Sequence, residues 1–127
     1  MKILWQVSFR PFNKSAANNK VQNDFIDNLI KFKADLTLCV TQFDDFGVKN
    51  FLKNKKIKTK YFNYPKKKLP KDVKYSISIM LKNSLKFFLQ NDFDYFIFSN
   101  ADIIISKKII KILKSQQNEN YMGFVYP

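Results

Sequence analysis

The chain has 127 residues, 46% hydrophobic and 17% aromatic, enough apolar material for one domain with one core and too much for a disordered segment. There is no histidine and one cysteine, Cys39, which excludes Ser-His and Cys-His catalysis, His-containing zinc sites and an internal disulfide. The formal net charge is +13, supplied by lysine apart from the sole arginine, Arg10, and the two glycines, Gly47 and Gly123, are too few for a Gly-rich phosphate loop.

No apolar run approaches the roughly 20 residues of a membrane span. The apolar start is short and meets Gln6 and Arg10 without a small-residue cleavage site, which predicts a first strand and, by default, cytoplasmic residence. That strand runs from Lys2 to Phe9 and is nearly continuous in apolar residues, as in a strand buried on both faces. A polar connection opens at Arg10-Pro11. From Ala16 to Lys33, Val21, Phe25, Leu29 and Phe32 recur at helical spacing, with Ile26 and Ile30 beside them. Leu36 to Val40 predicts a second strand, with Cys39 as a small buried residue. A short helix is expected from Asp45 to Lys53, capped by Asp44 or Asp45. Ile57 to Phe62 alternates with lysines and predicts a strand near a sheet edge.

Tyr64 to Pro70 reads as a loop bracketed by prolines around Lys66, Lys67 and Lys68. A helix follows from Asp72 to Gln90 on Ile77, Leu81, Leu85, Phe88 and Leu89. Phe93 to Ser99 predicts the next strand, taken as the sheet's central one. Ser106 is placed to cap a last helix through Ser115, with Ile109, Ile110 and Leu113 inward, and Tyr121 to Tyr126 predicts a further strand. The order β-α-β-α-β-α-β-α-β implies a single α/β domain over residues 1–127. Its sheet is open and mostly parallel, with helices on both faces, in the Rossmann-like manner. Ligands of such sheets bind beyond the C-terminal strand ends. That rule selects Ser8 to Asn13, Thr41 to Asp45 and Ser99 to Asp102.

The last of these carries the chemistry. An apolar strand stops at Ser99-Asn100-Ala101-Asp102, and in an extended stretch Asn100 and Asp102 point the same way. A carboxylate and an amide oxygen are hard ligands suited, with diphosphate oxygens and water, to Mg²⁺ or Mn²⁺. The competing reading makes both of them turn residues bonded to the local backbone.

Phe96-Ile97-Phe98-Ser99-Asn100-Ala101-Asp102, with Lys82-Asn83-Ser84-Leu85 upstream and Val7 to Asn13 after the first strand, resembles the N-terminal, nucleotide-sugar-binding half of GT-A-fold glycosyltransferases of the family 2 type. In that family the strand ends in Asp-x-Asp; here Asn100 stands for the first aspartate, which implies weaker metal binding. The resemblance implies that Asp102, assisted by Asn100, binds Mn²⁺ or Mg²⁺ and the sugar nucleotide. Ser8 would lie in the nucleotide-contacting loop, Phe9 or Phe12 would stack on the base, and Arg10 would pair with a phosphate. Asp44 or Asp45 would bind base or ribose, and Lys82 would neutralise diphosphate. Each has a plainer alternative: core aromatic for the phenylalanines, helix cap for the aspartates, solvated cation for Lys82 and Arg10.

The reaction implied is transfer of a sugar from a nucleotide-diphosphate sugar to a hydroxyl on a glycan or lipid-linked acceptor. The acceptor half is expected beyond Pro127, which makes the chain a fragment or a reduced member. The run Lys66 to Lys68 reads as a solvated loop, and its functional alternative is contact with an anionic membrane at the inner face. Two other readings compete: a basic nucleic-acid-binding module, which explains the charge directly, and a catalytically inactive α/β partner domain.

Overall fold

The structure, a computed structural model, describes residues 1–9, 16–42, 49, 52–53, 55–64 and 70–115. In chain order these form β1 (Ile3–Phe9), α1 (Ala16–Phe32), β2 (Leu36–Gln42), β3 (Thr59–Tyr64), α2 (Val73–Gln90), β4 (Tyr95–Asn100) and α3 (Lys108–Ser115). The strands lie in the order β3-β2-β1-β4, and every neighbouring pair is parallel. The fold is therefore the α/β class the alternation predicts.

Alternation along β1 divides the core into two halves. Ile3, Trp5, Val7 and Phe9 face α1, where Phe25, Ile26, Leu29 and Phe32 meet them, and Leu113 of α3 joins the same cluster. The Trp5 ring packs edge-on against Phe25 at 5.9 Å and Phe32 at 5.1 Å between centroids, pairs worth about 0.5–1.5 kcal/mol each beyond their buried area. Leu4 faces the other way, with Leu38 and Val40 of β2, onto Met80 of α2. Phe62, Phe87, Phe88 and Phe96 complete that layer. Helices thus cover both faces, and both parities of β1 are buried. This is why its sequence is nearly continuous in apolar residues. Among the described strands β1 and β2 take the interior positions. β4, expected at the centre, stands at one end of the order, and Phe98 is correspondingly exposed.

The phase of α2 departs from its apolar pattern. Ser76, Met80 and Ser84 are fully buried residues of α2 and Phe88 packs beside them as its spacing predicts, whereas Ile77, Leu85 and Leu89 are exposed, Leu89 to 79%. The two serines are buried on the sheet-facing side of the helix. Their hydroxyls are satisfied locally, Ser84 Oγ donating to the Met80 carbonyl at 3.0 Å and Ser76 Oγ to the Pro70 carbonyl at 3.0 Å. On α1, Val21 is likewise exposed while Phe25 to Phe32 carry the buried face.

β3 begins at Thr59 rather than Ile57, because the segment before it bends, Ile57 N–H donating to the Lys55 carbonyl at 2.8 Å. β4 begins at Tyr95, since Asp94 and Tyr95 N–H both turn to the Lys2 carbonyl. Ser106 does cap α3: its Oγ accepts from Lys108 N–H at 3.2 Å. Of the helix expected over 45–53, Lys49 and Leu52 are helical and most of the remainder lies outside the described residues. So does the strand expected over 121–126.

Candidate functional site

The chain leaves β1, passes through α1 on one face and enters β2 and then β3 on one side. It then returns through α2 on the opposite face to place β4 on the far side of β1. The direction of winding reverses between β1 and β4. In open sheets the crevice beyond the strand ends at such a reversal is where ligands bind. Ser8 and Asn100 stand opposite each other there, in register.

One further bond closes the pair, Ala101 N–H donating to the Ser8 carbonyl at 3.2 Å. The chain then turns. Ile103 N–H reaches the Asn100 carbonyl at 3.4 Å, with Ala101 and Asp102 at the tip. The two-residue alternation that aligned Asn100 with Asp102 in an extended chain therefore stops at Asn100. Both side chains are exposed. They offer one amide oxygen and one carboxylate at the first and third positions of a single turn.

Two contacts fix this turn from beneath. Trp5 Nε1 donates to Ser99 Oγ at 2.8 Å inside the core, tying the last buried residue of β4 to β1. Asn28 of α1 grips the segment beyond the turn with both ends of its amide: Nδ2 donates to the Ile105 carbonyl at 2.8 Å, and Oδ1 accepts from Ile105 N–H at 2.9 Å. Asn28 falls three residues after Phe25, on the inward face of α1. An asparagine on an apolar stripe was the legible signal for this clamp. Gln6 is the other polar residue that patterning passed over. It lies on the same sheet face as Ser8 and is only 1% exposed; its Nε2 reaches Ser8 Oγ at 3.4 Å, and its Oε1 has no partner among the described residues. A polar line Gln6–Ser8–Asn100 thus runs up to the strand ends.

The other expected residues fall differently. Phe9 is 3% exposed and packs edge-on to Phe25 at 6.1 Å, so it is a core aromatic and does not offer a face to a base. Lys82 is exposed on α2, beside a residue that contacts β3, at the other end of the strand order from β4 and its turn. Its neighbour Asn83 is engaged instead, donating to Tyr64 Oη at 3.0 Å. Arg10, Phe12, Asp44, Asp45 and Lys66 to Lys68 lie outside the described residues. Among the described residues no three His, Cys, Asp or Glu side chains group as a metal cage, so a divalent ion at the turn would draw most of its oxygens from its ligand and from water. No described helix is long and apolar enough to cross a membrane. The chain matches no family model, no curated protein and no solved structure.

Proposed function

We propose that the Asn100–Asp102 turn binds a nucleotide-diphosphate sugar and that the chain is a glycosyltransferase-type domain. The observation that supports this most is positional. The segment resembling the family's Asp-x-Asp motif ends β4 at the point where the strand order reverses, with Ser8 in register beside it. Asp102, with the Asn100 amide oxygen, would hold Mg²⁺ or Mn²⁺, whose charge would stabilise the departing diphosphate. Ser8 offers a hydroxyl beside the same crevice to orient the ligand. In the transfer, the acceptor oxygen forms a bond to the anomeric carbon while the bond to diphosphate breaks with its electron pair on the diphosphate. Among the described residues Asp102 is the only carboxylate at the turn and is assigned to binding, so the acceptor's proton needs a base beyond this set.

A thermal-shift panel of UDP, GDP, CDP and their sugars, with and without Mn²⁺, tests the reading. A ligand at a hundredfold excess over its Kd contributes about 2.7 kcal/mol, on the order of 10 °C for a domain of this size. The expected result is a shift that requires the metal and disappears in Asp102→Ala. No shift with any nucleotide overturns it.

A further inference from the structure

At the opposite edge of the sheet, where the strands begin, lies a groove of about 830 Å³. Five of its twelve lining residues are lysines: Lys2, Lys33, Lys55, Lys56 and Lys58. Two are aspartates, and both are engaged. The Asp35 carboxylate accepts from Ile3 N–H at 2.7 Å, and Asp92 pairs with Lys2 at 3.6 Å. Lys33, Lys56 and Lys58 have no carboxylate within salt-bridge reach among the described residues. Leu36, Ile57 and Phe93, all half-buried, give the groove an apolar lining between its cations.

The backbone at Lys33 supplies a second, independent observation. Lys33 follows the last residue of α1 with φ at 53°, its N–H donating to the Leu29 carbonyl at 3.0 Å. This is the left-handed helix-ending position that glycine occupies without a steric cost. A lysine there is held against its backbone preference. Lys31 already places a cation in the last turn of α1, so the helix dipole does not require a second.

We propose that this groove binds the phosphate backbone of a single-stranded nucleic acid without sequence preference, at the sheet edge opposite the Asn100–Asp102 turn. Lysine ammoniums meet phosphates as point charges. Among the described residues no arginine, whose fork reads guanine edges, lines the groove, so its lysines leave base identity unread. A concave channel with an apolar lining admits a flexible strand and its unstacked bases, a combination general to single-strand binding, and does not fit a flat bilayer. This inference is independent of the proposed sugar-nucleotide site.

The test is fluorescence anisotropy of the full chain with a labelled single-stranded RNA of mixed sequence, titrated with salt. Four to five phosphate contacts predict a slope of about −3 in log K against log salt. Lys56→Glu with Lys58→Glu should weaken binding at least tenfold. The control, Lys107→Glu with Lys108→Glu, makes the same charge change at the start of α3 and should weaken it less than twofold. Lys33→Gly relieves the backbone, so it should melt no lower than the parent while losing severalfold in affinity. Equal losses in the two double variants would mean diffuse attraction to a basic protein and overturn the site. So would failure to bind RNA at low salt, whether or not vesicles of anionic phospholipid bind.

Discussion

The Cys39 thiol lies on β2 facing the α1 side of the core with no exposure, and burial pushes its pKa from 9.0 up to about 12. Raising an acid's pKa in the folded state favours the neutral form there. The resulting stabilisation is complete below about pH 9 and is lost as pH climbs from 9 towards 12, because the unfolded chain ionises first. Urea unfolding of the parent and of Cys39→Ala at pH 7 and pH 10.5 isolates the effect from lysine and tyrosine titration. The parent should lose more stability between the two pH values than the variant does, and a parallel loss would show that the thiol is solvated. At the same scale, Ser99 and Gln6 are two buried polar residues with opposite outcomes. Ser99 pairs with the Trp5 indole, whereas the Gln6 carbonyl oxygen, two positions before Ser8 on one face of β1, has no partner among the described residues.

Among the elements, what periodicity made legible was what bulk apolar side chains decide: the four described strands, three helices and their alternation. Trp5, Phe25 and Leu29 went to the core as their spacing predicts. α2 escaped because serines at 76 and 84 pack by being small, and hydropathy counts them as polar although a carbonyl one turn back satisfies them. The bounds of β3 and β4 slid by about two residues, because the bonds that start a parallel strand come from its neighbours and are not written in the strand itself. The site was half legible. Asn100 and Asp102 were found by where an apolar run stops, but their mutual orientation was lost to the turn, and Asn28, which clamps the chain beyond it, sits far off in sequence. Its two bonds to Ile105 join α1 to the segment leading out of the turn. Asn28→Ala leaves two backbone groups of Ile105 unpaired, and the expected loss is about 2–4 kcal/mol. The measurement is hydrogen exchange alongside urea melts. Protection should fall first at Ile103 to Ile105, and a uniform loss over all strands would mean that the clamp supports the whole core rather than the turn.

On the scale of the whole molecule, the charge of +13 is not one undivided field. A parallel sheet puts all strand starts at one edge and all strand ends at the other. Five lysines line the groove at the first edge, and the Asn100–Asp102 turn stands at the second. Seven-residue strands separate the two by roughly 20 Å. That exceeds twice the Debye length of about 8 Å at physiological salt, so a phosphate bound at one edge is screened from the other. The core between them is packed as one cluster on each face of the sheet. Occupancy of the two edges should therefore be uncoupled. With the nucleotide and Mn²⁺ that give the largest thermal shift present at saturation, and with ionic strength matched, the Kd for labelled RNA should change by less than twofold. Asp102→Ala should leave RNA binding intact, just as Lys56→Glu with Lys58→Glu should leave the nucleotide shift intact. Competition that weakens RNA binding tenfold, or cross-loss in either variant, would place both anions on one basic surface and dissolve the division between the two edges.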